Sequence, residues 1–342
     1  MLTSRVRLST HASRLERWLG KDTIEQLCLA THDFYWPIPI ASVDGVYAYK
    51  GDFFGAIRGG GFTSLSDLIA EANAGKLRKF YFQKAGATGV AGVTSSLWGL
   101  GNQPAAGANA GAAPGGTIPT NATTGAVAFD NVSPDTRHVV SAMATSSVAG
   151  NTLLLYDRLF AVNKTMNSTA TQAVTGVPTR YTSTTPGAQD SAEGNFLFVD
   201  VGGTALAATA HNWTVCQYTD QGGTTGVSLP SLTGNSAAIV RRLDHPIQQW
   251  FAPLAAGDTG VLALTQMQCS ALVATGVINF VIGHPICFMP CPIVNMMMPF
   301  DYIGTAFNLA RMFDDAALAL LEIVKPSTTA TTYNVEVTMV SG

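Results

Sequence analysis

TLLLYDRLFAVNK, residues 152–164, decides the fold. The run is aromatic and aliphatic, it contains no Gly or Pro, and it reads as a β-strand. Working outward, further strand-like runs follow one another with little between them. HVVSAMATS (138–146) precedes it. GNFLFVDVG (194–202), NWTVCQYT (212–219), GVSLPSL (226–232), VLALTQMQCS (261–270), GVINFVIG (276–283), LALLEIV (318–324) and YNVEVTMV (333–340) come after. Turn formers separate them: Pro186-Gly187, Asp220 to Gly223, Gly257-Asp258 and Pro326 to Thr328. Many short strands without long helices between them predict a mainly β chain, built as a β-sandwich or jelly-roll-like barrel. A short helix is expected near 303–312, where Ile303, Phe307 and Leu309 recur.

Ahead of this β domain (130–342) the pattern changes. Residues 10–30 carry Leu15, Trp18, Leu19, Ile24, Leu27 and Cys28 at helical spacing. FYWPIPI (34–40) is held extended by its prolines, and the Gly-punctuated run 44–61 suits a hairpin. Ser64 and Asp67 resemble a capping box for a second helix, which Gly75 stops. KFYFQK (79–84) reads as a strand. Residues 1–90 therefore form an N-terminal α+β region suited to docking. Residues 91–129 form an uncharged, extended Gly/Ala-rich arm. Within it, QPAAGANAGAAPGGTIPTNATTG (103–125) lacks large side chains and is expected to be a linker, or an arm ordered against a neighbour.

Charge is scarce throughout. Of the 342 residues 12% are charged, about half the proportion in an ordinary soluble domain. None lies between Ala85 and Phe129 or between Thr259 and Phe300. A chain so poor in charge must cover its surface or coat it with hydroxyls and amides, which points to a structural, assembly-forming protein. Residues 1–90 hold 11 of the 19 basic and 8 of the 22 acidic side chains, a mild basic surplus against a net charge of -3. No direct nucleic-acid contact is expected from that balance. The apolar run 271–300 is interrupted by Gly276, Asn279, Gly283, Pro285, Pro290 and Pro292, so it predicts two buried strands and an extended connection, not a membrane span. The N-terminus has no apolar signal-like stretch.

The residues with possible chemistry each have a plainer structural reading. Asp258-Thr259-Gly260 matches the loop triplet of aspartic-type peptidases, but a single copy would need a homodimer, and the triplet also spells a tight turn. His284, Cys287 and Cys291 lack a near fourth zinc ligand and read as buried thiols beside a hydrogen-bonded His. Arg241-Arg242 with Asp244-His245 reads as an ion-paired loop, and Asp314-Asp315 as a helix end or turn. The five cysteines have no disulfide-framework spacing. No catalytic residue, cofactor or metal is expected.

NTLLLYDRLFAV (151–162), TAHNWTVCQYTDQGGTTGVSLPSLT (209–233) and WFAPLAAGDTGVLALTQMQCS (250–270) resemble a group of tailed-bacteriophage virion proteins found with head-assembly components. The helix SLSDLIAEANAGK (64–76) is similar to the N-terminal part of the same group. The resemblance implies a virion protein of the capsid, assembled in the host cytoplasm and touching copies of itself and other capsid proteins. No long spine helix of the kind expected in a shell-lattice protein is visible, which tilts the expectation toward cement or decoration over the major capsid protein. A tail or fibre β-sandwich binding carbohydrate through Trp213, Trp250 and Tyr218 is a separate alternative, and a peptidase using Asp258 another.

Overall fold

The computed structural model describes residues 40–43, 46–49, 62, 64–88, 91–246, 249–303, 309–324 and 327–342. In chain order the strands are β1 (Ile40–Val43), β2 (Val46–Tyr49), β3 (Leu77–Ala85), β4 (Ser95–Ser96), β5 (Asn102–Gln103), β6 (Arg137–Ser146), β7 (Asn151–Thr165), β8 (Gln172–Ala173) and β9 (Phe196–Val201). They continue as β10 (Asn212–Asp220), β11 (Val227–Ser228), β12 (Leu232–Thr233), β13 (Val261–Cys269), β14 (Val277–Cys291), β15 (Met298–Asp301), β16 (Ala310–Met312), β17 (Leu318–Val324) and β18 (Thr332–Ser341). Among the described residues one α-helix, α1, covers Leu65–Glu71.

These elements fall into two units, one holding β1, β2 and Phe62–Leu68, the other Ile69–Gly342. In the first, β1 and β2 form an antiparallel hairpin, earlier in the chain than the expected 44–61. Ser64 caps α1 as its sequence predicts, its Oγ accepting from the Asp67 N–H at 3.1 Å. The helix widens over Ala72–Lys76 and ends where Gly75 takes φ 87°, a conformation that costs glycine nothing. The helix expected over 10–30 lies outside the described residues.

The second unit is three antiparallel sheets. The central one has the order β4-β17-β7-β14-β9. A second runs β11-β10-β13-β8, with β12 beside β10, and the third runs β15-β6-β18-β3-β5, with β16 beside β6. This is the mainly β architecture predicted, in stacked antiparallel layers. Strand alternation explains how the central sheet serves two cores. Leu197, Val199, Ile278, Phe280 and Val162 face one way and meet Trp213, Tyr218, Leu264 and Met267 of the second sheet. Phe196, Phe198, Val281, Tyr156 and Leu154 face the other way, toward Trp98, Ala126 and Leu243. A bulge at Leu159, between the pairs Arg158–Gly283 and Phe160–Ile282, lets Leu159 and Phe160 join the same core. Burying a side chain of that size contributes about 1.5–3 kcal/mol.

The Gly/Ala-rich segment lies over the second face near Trp98 and then runs along the edge of β7 beyond the end of β17. The expectation of a linker, or of an arm ordered on a neighbour, gives way to a segment laid along its own sheet. Thr117 and Ala161 exchange N–H···O bonds of 2.7 and 2.9 Å, the Asn163 N–H donates to Gly111, and the Ala110 N–H donates to Asn279 Oδ1. Small residues are needed because the approach is close. A Cβ on Gly107 would stand 2.3 Å from the Trp98 ring, and one on Gly116 would stand 2.5 Å from Phe160.

Three other expectations change. β14 is a single strand from Val277 to Cys291, running through Pro285 and Pro290, where two strands with a connection were expected. Both prolines come after Gly283, where pairing with β9 has ended, so their missing N–H groups leave that neighbour unaffected. Ala310–Met312, in the expected helix at 303–312, is a strand beside β6, while 304–308 lie outside the described residues. β3, assigned from sequence to the N-terminal docking region, pairs with β18 along its whole length inside the third sheet. Among the described residues no helix is long and apolar enough to cross a membrane.

Candidate assembly surface

From the end of β14 into the first two residues of β15 the chain reads Pro-Ile-Val-Asn-Met-Met-Met-Pro, residues 292–299, and every one of these is exposed. Asn295 makes the turn with φ 57°, and its N–H donates to Ser146 O at 2.9 Å. Pairing of Met298 with Ala144 and of Phe300 with Ala142 then fixes the run to the edge of the third sheet. Ile293 is 55% exposed and Met296 50%.

On the same sheet a groove of about 600 Å³ lies among Tyr81, Gln83, Asn102, Gln103, Met297 and Asn334. Tyr81 is 67% exposed and stands opposite Glu336, which is paired with Lys79 at 2.9 Å. The apolar run and the amide-lined groove are neighbours on this sheet. Methionine side chains adapt to irregular partners.

The residues singled out from sequence are scattered and structurally engaged. Asp258 lies in the turn before β13, where its Oδ2 accepts from the Tyr218 hydroxyl; burial and this carboxylate push Tyr218 up to about 12. The Tyr218 oxygen in turn accepts from the Ala255 N–H at 2.9 Å. His284 lies flat on the Tyr181 ring, centroids 3.7 Å apart, with its Nδ1 2.8 Å from Asn195 Oδ1, and burial pushes it down to about 3. Cys287 and Cys291 are buried, and burial pushes them up to about 12 and about 11. Among the described residues no three His, Cys, Asp or Glu side chains are grouped to hold a metal.

The ion-paired loop expected at 241–245 is wired differently. Asp244 accepts from Trp213 Nε1 at 2.8 Å and from the Asn235 N–H at 2.6 Å, and pairs with His211 at 3.0 Å, not with its neighbouring arginines. Burial pushes His211 down, but the bond and charge of Asp244 outweigh it and leave His211 raised. His245 Nε2 accepts from the Val199 N–H at 2.8 Å, and burial pushes it down to about 4. Asp314 receives the N–H groups of Val132 and Ser133, and Asp315 meets Arg180 at 3.3 Å. Of the three aromatic residues named for carbohydrate, Trp213 and Tyr218 are core side chains with no surface to offer. Trp250 is half-buried with Phe251 and Phe288 around it, in a cleft of about 310 Å³.

A heavily bonded buried carboxylate, not singled out from the sequence, lies inside the run 152–164. Asp157, in the middle of β7, takes two bonds of 2.8 Å from Arg180 and a third from the Ala317 N–H. Arg158, beside it, points to the opposite face, its Cζ 4.8 Å from the centre of the Trp98 ring. Two adjacent charges, Asp157 and Arg158, in the apolar middle of a strand were the available signal.

No known protein family matches the chain. No curated protein matches it either. Two solved structures of infectious bursal disease virus overlap it slightly. The Gx strain structure is 11% identical over 78% of this chain and 79% of its own, with a TM-score of 0.16. The Gt strain structure is 9% identical over 78% and 81%, with a TM-score of 0.14. Overlap at that level carries no argument about fold or function.

Proposed function

We propose that this chain is a structural protein of a tailed-phage virion, forming or stabilising the capsid through contacts with copies of itself and with shell proteins. Cement or decoration is preferred to the shell lattice. The observation that carries the reading is the exposed, uncharged run Pro292–Pro299 held at the edge of a regular β-sheet. Left in water, such a run favours association; covered by a partner, it stabilises the complex without stripping water from unpaired charges. The scarcity of charge along the whole chain and the resemblance of its β segments to virion proteins support the same reading.

Electron microscopy of the recombinant chain, alone and mixed with capsids lacking it, tests the proposal. Defined oligomers that coat capsids are expected. Closed shells formed by the chain alone would replace decoration with the lattice role. A chain that stays monomeric and leaves capsids bare would overturn the reading.

A further inference from the structure

The Gly/Ala-rich segment does more than cover the sheet: it closes a cavity of about 240 Å³ over β7. Trp98, Asn109, Thr117, Thr123, Thr124 and Arg158 line it with polar or aromatic groups, and no carboxylate is among the lining residues. The lining is rich in donors. The Thr117 oxygen accepts from the Gly111 N–H at 2.7 Å and the Thr123 oxygen from the Thr120 N–H at 2.9 Å, which leaves each hydroxyl hydrogen to donate elsewhere. Asn109 Oδ1 is the atom turned to Asn279, so its amide N–H groups are the ones left. Arg158 is 1% exposed, and its Nη1 has no hydrogen-bond partner. Asp200 makes only a long ion pair with that nitrogen, its Oδ2 standing 3.9 Å away and beyond hydrogen-bond reach, while its Oδ1 accepts from Asn279 at 2.8 Å.

Charge points the same way. Arg241 holds a left-handed backbone at φ 78°, with its guanidinium packed against Gly99, where a Cβ would meet Nη1 at 2.0 Å. Burial and then Arg241 push the nearby, buried Lys84 down to about 8. Arg158 and Arg241 thus share the single carboxylate of Asp200, while Lys84, beside Arg241, donates to the carbonyls of Pro104 and Ala105. A buried guanidinium with an idle N–H is costly unless something answers it.

We propose that this cavity binds a small oxyanion, of phosphate or carboxylate size, on Arg158 with Asn109, Thr117 and Thr123. Three of these four residues belong to the 103–125 segment and the fourth to β7, so the bound ion ties the segment to the sheet. The inference does not rest on the virion reading.

The test is calorimetry of the full chain with phosphate, sulfate and acetate as separate arms, sodium chloride holding ionic strength constant, together with amide hydrogen exchange across 103–125. Saturable binding of at least one ion at millimolar concentration is expected, with slower exchange in the segment. The arm that binds distinguishes tetrahedral oxyanions from carboxylates. Arg158→Gln should weaken binding about tenfold or more. Should that variant fail to fold, Asn109→Ala, at the rim, should weaken binding and remove the exchange protection. No saturable binding in any arm would overturn the proposal and leave a water-filled cavity. Binding that is unchanged in the variants would place the ion elsewhere and overturn it equally.

Discussion

Arg180 holds Asp157 through two hydrogen bonds of 2.8 Å, from Nε and Nη2, where neither side chain meets solvent. The same guanidinium donates to the carbonyls of Pro119 and Arg158, so it joins the central strand to the Gly/Ala-rich cover as well as to its own loop. Removing one member of such a pair strands the other in the core. Arg180→Met is expected to cost about 3–5 kcal/mol in urea unfolding. Arg180→Met combined with Asp157→Leu should recover much of that loss, since both charges then leave together. A double variant as unstable as the single one would mean that packing, not the stranded carboxylate, dominates.

The cover should be sensitive to a single methyl group. Gly116 sits at φ 67°, and a Cβ there meets both the Phe160 ring and the Ala161 carbonyl. Gly116→Ala combines backbone strain with a clash against a strand that cannot move aside, and about 2–4 kcal/mol of destabilisation is expected. Protease cleavage within 103–125 should become faster than in the parent. Gly115→Ala is the control, because a Cβ at Gly115 meets nothing within 4 Å.

Buried histidines set the acid limit. His245 and His284 lie at about 4 and about 3 when folded, both below the ordinary value, so the unfolded chain takes up their protons first. Their contribution is whole above about pH 6.5 and is lost as pH falls toward those values. His211, raised by Asp244, acts in reverse: its contribution is present below the ordinary value and fades as pH rises through the raised pKa. Near pH 5.5 the unfolded chain therefore holds two more of these protons than the folded one. These two groups contribute a fall of about 2.7 kcal/mol per pH unit there, and His138, buried and likewise lowered, adds to it in the same direction. His284→Gln should remove about half of that slope, as read from urea titrations at several pH values.

The strands were legible because their composition and their turn residues agree, as at TLLLYDRLFAVNK and at the Gly257-Asp258 turn. The Ser64 cap and the Gly75 stop were legible because each is a local interaction. The course of β14 was not, since a proline is tolerated or forbidden according to whether a neighbouring strand is present, and the sequence does not show where β9 ends. The Gly/Ala-rich segment looked too poor in side chains to order itself. Its thinness is what allows it to lie within bonding distance of β7, against a surface supplied by residues far away in the chain. The exposed methionines at 296–298 sat inside a run that reads as core by composition, and only the fold shows them facing outward.

The proposed role requires the Ile293–Met298 surface to join one copy of the chain to another. Sedimentation velocity of the purified chain, beside a variant carrying Met296→Ser, Met297→Ser and Met298→Ser, measures this. The parent should sediment as a defined oligomer, and the variant should shift to smaller species while keeping the far-UV circular dichroism of the folded chain. A parent that is monomeric at every concentration, or a variant whose oligomer is intact, would rule out self-association through this surface.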